Sequence, residues 1–248
     1  MKIIVCGSAG RMGRVLSEKI ENSKGLCVAC GVDVTNAVSA SYPLVEDIND
    51  FDGDADVIVD FSHHSQTEKL CSYAVRRGIP MVIATTGQTE EENAIIKKAA
   101  ESVAVFKSAN MSLGVAVLCE LARRATAVLE GADIEILEKH HNKKLDAPSG
   151  TALLIADEIK SVLPEKEYVY DRSAKRAARD VKEIGIQSIR AGNIVGEHEV
   201  LFALGNEHIT ISHSALNRGL FADGAISAAK FIIGKSAGLY DMKSLLAD

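Results

Sequence analysis

Along the chain, short apolar runs rich in β-branched residues alternate with stretches whose apolar positions recur every three or four residues. Lys2–Cys6 reads as a buried strand, Gly7 to Gly10 as a tight turn, and residues 11–22 as an amphipathic helix. Residues 26–32 form a second apolar run that ends at Asp33. The strand signal repeats at 56–61, 81–84 and 103–106, separated by helical stretches such as 66–77 and 90–100. Strands alternating with helices predict right-handed crossovers and a parallel sheet.

After about residue 110 the pattern changes. A long helix over 113–129 leads to a strand over 133–138, a polar loop, and a helix that begins at Thr151. A charged stretch, 164–182, precedes strands expected at 187–190, 199–204 and 207–212. Alternation there is clearest in His208-Ile209-Thr210-Ile211-Ser212, which predicts a half-exposed sheet. A final apolar helix over 219–233 is expected to return to the first domain.

Composition narrows the partners. The net charge is -6 with no clustered basic face, which argues against nucleic acid, because phosphate neutralisation needs concentrated positive charge. No apolar run is long enough to cross a bilayer, so no membrane partner is expected. Five scattered cysteines and the lack of a leader-like start point to a reducing, cytoplasmic setting. An anionic ligand must then be met by a few local groups.

The first of these lies at Gly7-Ser8-Ala9-Gly10-Arg11-Met12-Gly13, between a strand and a helix. Glycines let the backbone turn sharply and approach phosphates, and the helix start offers N–H groups and a positive dipole end. Asp33 follows Gly13 by 20 residues, at the end of the second strand, where a carboxylate accepts from an adenosine ribose. The alternatives are an ordinary glycine turn and a capping aspartate. Val34 stands where enzymes that bind a 2'-phosphate often carry Arg, which favours NADH over NADPH; Arg11 leaves dual use open. Residues 61–64 and 84–87 sit at strand C-terminal ends and either line the nicotinamide side or serve as plain strand-to-helix turns.

The second is the stretch from Glu138 to Thr151, in which two histidines and three lysines crowd a loop entering a helix. Ser149 is the expected N-cap, so that the N–H groups of Gly150 and Thr151 form an anion receptor suited to a carboxylate. His140, His141 and Lys144 add charge balance and a mobile proton. A solvated polar loop is the bland alternative. A metal site is disfavoured: adjacent histidines point in opposite directions on a strand, and no further ligand set completes them. Cys27 and Cys30 read as core cysteines, and His198, His208 and His213 as structural histidines. Arg218 is either a hinge or a substrate-side charge.

Six segments give the chain a resemblance to the 4-hydroxy-tetrahydrodipicolinate reductase (dihydrodipicolinate reductase) family of diaminopimelate and lysine biosynthesis: GSAGRMGR from Gly7, ATTG from Ala84, SANMSLG from Ser108, HHNKKLDAPSGTA from His140, RAGNIVGEH from Arg190, and residues 218–225. The resemblance spans nearly the whole chain, and the histidine loop is its most specific part. It implies an α/β fold, with a doubly wound parallel-sheet dinucleotide-binding domain (1–111 plus 219–248) and a second α+β substrate and oligomerisation domain (112–218). The implied activity is NAD(P)H-dependent reduction of a small dicarboxylate by a homotetramer. By motif, His140 and Lys144 fall on the family's proton-handling residues, and His141, Gly150 and Thr151 on its substrate contacts. The dinucleotide contacts fall on Gly7, Ser8, Ala9, Gly10, Arg11, Met12, Asp33, Ala84, Thr85, Thr86, Ser108, Ala109, Asn110 and Met111. Some members have Arg directly after the ribose-binding acid, where this chain has Val34.

Overall fold

Strands that read as unbroken apolar runs should be covered on both faces, and those of the first half are: β1 (Lys2–Cys6), β4 (Val57–Asp60) and β5 (Met81–Ile83) are buried from end to end except at Lys2. The computed structural model describes residues 1–35 and 40–248. Between those strands come α1 (Arg11–Glu21), β2 (Cys27–Val32), β3 (Leu44–Val45) and α2 (Thr67–Arg77), followed by α3 (Glu90–Ala100) and β6 (Ala104–Lys107). The next elements are α4 (Leu113–Val128), β7 (Asp133–His140), α5 (Gly150–Lys160), β8 (Glu167–Val169), β9 (Glu183–Arg190), β10 (Gly196–Ala203) and β11 (His208–Ala215). Last are α6 (Gly219–Ile232), β12 (Gly238–Tyr240) and α7 (Met242–Leu246). The chain divides into two compact units, Met1–Ser112 with Gly219–Asp248, and Leu113–Arg218.

The first unit holds a seven-stranded sheet in the order β12-β6-β5-β4-β1-β2-β3, with every pairing parallel. From β1 the chain runs outward through β2 and β3, then returns to β4 and runs the other way. The order therefore reverses between β1 and β4, the place where such sheets leave a crevice at their carboxyl ends. Its core includes Ile4, Ile58, Leu70, Tyr73, Met81 and Val105, each worth about 1.5–3 kcal/mol when fully removed from water.

Helix ends in this unit follow local chemistry. Thr89 and Glu92 form a reciprocal capping box at the start of α3, and Gly78 ends α2 in the left-handed region at φ 63°. At α1 the capping residue is Gly10, which supplies no side-chain bond. Gly7 adopts φ +76°, and a Cβ there would lie 2.6 Å from the Phe61 carbonyl oxygen. A side chain at Gly13 would strike the Gly7 carbonyl, so the turn and the helix can touch only through glycine.

The second unit holds a five-stranded sheet, β11-β10-β7-β9-β8, antiparallel on one side of β7 and parallel on the other. Every second residue on β7, β9 and β10 (Ile134, Ile136, Ile184, Ile186, Val200, Phe202) packs with Leu118, Ile155 and Ile159 of α4 and α5. The opposite face, with Leu137, Ile189 and Leu201, is only half covered. Two departures from the sequence pattern matter. β7 runs two residues beyond Glu138, because His140 still pairs with Arg190, and the charged stretch after residue 164 contains β8. Cys27 is also exposed rather than core, since it opens β2 on the side away from Cys30.

The tightest backbone contact in the first unit lies at Gly224 on α6, where an added Cβ would collide with the Met111 carbonyl oxygen. Gly→Ala in an exposed helix gains about 1 kcal/mol. At Gly224 the collision is with backbone, so Gly224→Ala is expected to cost a net ~1–3 kcal/mol in urea unfolding. A variant as stable as the parent would contradict this packing.

Candidate active site

In the first unit the three expected contact segments lie at the carboxyl ends of β1, β5 and β6, along one edge of the sheet. The glycine turn spends most of its own donors. Gly7 and Ser8 N–H bond the Val32 carbonyl at 2.8 and 3.2 Å, Gly10 N–H bonds Gly7 O at 3.0 Å, and Ala9 N–H bonds Asp33 Oδ2 at 2.9 Å. The N–H groups of Arg11, Met12 and Gly13 open the first turn of a helix with no capping side chain. A cavity of about 230 Å³ opens at the glycine turn, lined by Gly7, Gly10, Asp33, Val34, His63 and Lys69 among others. Its shape and chemistry fit a nucleotide: close glycine backbone, uncapped donors for a diphosphate, and a carboxylate for a ribose diol.

Other expected residues are placed less openly. Ser8, Thr85 and Met111 have buried side chains, and the Thr85 hydroxyl is aimed at the Asp60 carbonyl at 3.4 Å. Ala84 is half-buried, while Thr86 and Ala109 are exposed. Ser108 and Asn110 bond each other across a tight turn, Ser108 Oγ to Asn110 O at 2.7 Å. His63 lines the cavity, whereas the adjacent His64 bonds Glu92 at 3.0 Å.

The second unit shows how the histidine loop is held. Register places Ile211, Val200, Ile136 and Ile186 side by side on the inner face of the sheet. Two residues further along β7, the same face carries His213, His198, Glu138 and Ser188. The period-2 alternation that buries isoleucines thus continues unbroken into a polar row. His140 is the next residue of that parity.

Glu138, fully buried, is the centre of this row. Its carboxylate accepts from Arg190 Nη1 at 2.8 Å and Nη2 at 2.7 Å, from Ser149 N–H at 3.1 Å, and from His140 Nδ1 at 2.6 Å. Burial pushes the carboxyl upward, but the bonds from Arg190, Ser188 and His140 together outweigh it and hold the group down to about 2. An ionised carboxylate can only accept, so His140 carries its proton on Nδ1 and presents a bare Nε2. Burial also lowers the His140 pKa, against the pull of Glu138. Gly196 lies opposite: a Cβ there would sit 3.1 Å from His140 Nε2, so glycine keeps that nitrogen open.

Arg190 also donates to the Asp146 carbonyl at 2.7 Å, fastening the loop, and Lys144 bonds Asp146 Oδ1 at 2.8 Å. Ser149 caps α5 by accepting from Ala152 N–H at 3.2 Å, which leaves Gly150 and Thr151 as its first two residues. His141 is half-buried, and its Nδ1 has no partner among the described residues. A neutral imidazole, an ammonium group and a helix start are thereby gathered in one loop. Together they can bind a carboxylate and move a proton. Sequence reasoning assigned no role to Glu138 or Arg190 and only a structural one to His198, which is buried against Ser149. The signal that carried them was strand parity: Ile134, Ile136, Glu138 and His140 share a face, as do His198, Val200 and Phe202.

Comparison with known proteins gives a consistent family signal. Profiles described as "Dihydrodipicolinate reductase, N-terminus" and "Dihydrodipicolinate reductase, C-terminus" match residues 1–111 and 114–246. A 4-hydroxy-tetrahydrodipicolinate reductase of Caldanaerobacter subterraneus subsp. tengcongensis is 50% identical over 247 residues, 99% of this chain and 98% of that protein. One from Clostridium tetani is 42% identical over 248 residues, 99% and 97% of the two chains. Among solved structures, a dipicolinate-bound dihydrodipicolinate reductase from Paenisporosarcina sp. TG-14 has the same fold, with a TM-score of 0.84 at 23% identity over 97% of each chain.

Two groups of the polar row titrate against folding in the same direction. His198 falls from 6.5 to about 4, mainly through burial, and Glu138 from 4.5 to about 2. The unfolded chain binds protons at both before the folded one does. Stability is expected to drop below pH 6.5, by about 1.4 kcal/mol per pH unit from His198 alone, and to keep falling through the Glu138 window. Stepwise urea unfolding measures this; a constant midpoint between pH 7 and pH 4.5 would contradict it.

Proposed function

The chain belongs to the dihydrodipicolinate reductase family, and from that premise we propose that it reduces 4-hydroxy-tetrahydrodipicolinate to tetrahydrodipicolinate with its nucleotide-binding and proton-handling groups divided between the two units. It is an oxidoreductase of diaminopimelate and lysine biosynthesis that uses a pyridine nucleotide. The observation that carries the residue assignment is the Glu138–His140 bond, which fixes one imidazole tautomer beside a salt-bridged lysine and a helix start.

In the first unit, Arg11 and Met12 N–H groups and the α1 dipole receive the diphosphate, and Asp33 accepts from the ribose hydroxyls. Ala84, Thr85 and Thr86, with Ser108, Ala109, Asn110 and Met111, border the nicotinamide, the buried members through backbone atoms. When bound, the reduced nicotinamide supplies a hydride to the substrate ring. In the second unit, Gly150 and Thr151 N–H groups and His141 bind a substrate carboxylate. The Lys144 ammonium gives the proton with which the substrate hydroxyl departs as water. His140 rests neutral, takes a proton on Nε2 to become an imidazolium paired with Glu138, and then returns it.

NADH is the preferred reductant. A 2'-phosphate would bring its charge against Asp33, Val34 offers no compensation, and the cavity-lining Lys69 is committed to Asp47 at 2.7 Å, which leaves Arg11 as the cation a 2'-phosphate could use. The half-covered outer face of the second sheet, with Leu137, Ile189 and Leu201, supports assembly as a homotetramer. Among the described residues, Cys6, Cys27, Cys30 and Cys71 form no disulfide, which supports a cytoplasmic, reducing location.

Lys144→Ala is expected to lower kcat by at least ~100-fold with NADH binding unchanged, read by stopped-flow absorbance and by fluorescence titration; undiminished turnover would remove Lys144 from the mechanism. The kcat/KM ratio of NADH to NADPH is expected to exceed about tenfold, the equivalent of one unfavourable charge contact near a surface. Equal use of both would overturn the reading of Asp33 and Val34.

A further inference from the structure

One imidazole of the polar row takes no part in the chemistry above. His198 on β10 stands opposite Glu138 of β7 and His213 of β11, and is only 4% exposed. Its Nε2 lies 3.1 Å from the Ser149 hydroxyl, the same hydroxyl that caps α5. Its ring meets that of His140 edge-on, with centroids 5.3 Å apart and planes at 74°. A single side chain thus touches both the cap of the turn that carries Gly150 and Thr151 and the imidazole bonded to Glu138. Packing alone does not call for a histidine here. Among the described residues its buried Nδ1 has no partner, a desolvation cost that an apolar residue of similar volume would avoid.

We propose that His198 is a positioning residue for the reaction: it ties the capping hydroxyl of α5 to the His140 ring, so that the carboxylate-binding turn and the proton-handling nitrogen keep a fixed spacing. This rests on the assignment of Gly150, Thr151 and His140 to the substrate. The groups around His198 are Glu138 and His140 on β7, His213 on β11, and Lys144 and Ser149 from the loop. Burial, then His140, His213 and Lys144, all keep the ring neutral against Glu138. The tie therefore holds across any ordinary assay pH.

The test is calorimetric titration of dipicolinate into the NADH-saturated enzyme, with KM and kcat measured beside it. His198→Gln can place an amide where Nε2 lies, so its dipicolinate Kd should stay within about threefold of the parent, with an unchanged pH profile. His198→Asn is too short to reach Ser149, and His198→Leu has no polar atom. Both should weaken dipicolinate about tenfold and raise the substrate KM in parallel, while the NADH Kd is unmoved, since roughly one buried hydrogen bond is lost. In a Ser149→Ala background, His198→Leu should add less than about twofold, because the two residues act through one bond. If Leu prevents folding, the Gln and Asn comparison carries the result. Gln, Asn and Leu with equal affinities, or full additivity with Ser149→Ala, would overturn the proposal alone. A parent enzyme that does not bind dipicolinate would overturn the substrate assignment and the proposal with it.

Discussion

A carboxylate sealed from water must be matched charge for charge, and the second unit is arranged around that requirement at Glu138. Arg190 supplies the opposing charge through two parallel bonds, and the Ser149 N–H and His140 Nδ1–H fill the remaining acceptor positions. Such a cluster is a poor source of net stability, because desolvation consumes much of what the pairing returns. Its value is geometric. Each partner of Glu138 belongs to a different segment: β7 for His140, β9 for Arg190, and the cap of α5 for Ser149. A single carboxylate therefore sets where the histidine, the loop and the helix start lie relative to one another. Arg190 extends that control to the Asp146 backbone, and through Asp146 to Lys144.

The two units handle helix starts in contrasting ways. At α1 a glycine cap leaves the first turn without a side-chain acceptor, and the turn before it satisfies its own donors internally, so it arrives rigid beneath an open set of N–H groups. At α5 a serine caps the first turn and is itself held by His198, so fewer of its donors stand open. A diphosphate is long and charged and suits the open helix start. A carboxylate is small and suits the trimmed one.

Much of this organisation was legible in the sequence. The alternation of apolar runs and helical spacing over the first 107 residues specified the parallel sheet, since buried strands and amphipathic helices leave few other arrangements. The glycine turn, Asp33 and the Ser149 cap were readable for a similar reason: each depends on local backbone chemistry. Elements of two or three residues, such as β3, β8 and β12, carry too short a pattern to register, and they exist because a neighbouring strand edge recruits them. The roles of Glu138, Arg190 and His198 were hidden differently. Each is a polar residue at an inward strand position, and only the register of β7 with β9 and β10 reveals that they meet.

An ionised Glu138 holds His140 in one tautomer with Nε2 bare. Long-range 1H–15N spectroscopy of the His140 side chain, followed from pH 8 to pH 5, tests it most directly. A protonated Nδ1 with an unprotonated Nε2, persisting below the ordinary histidine midpoint of 6.5, is the expected result. A proton on Nε2 at neutral pH, or an ordinary titration with both tautomers present, would contradict it.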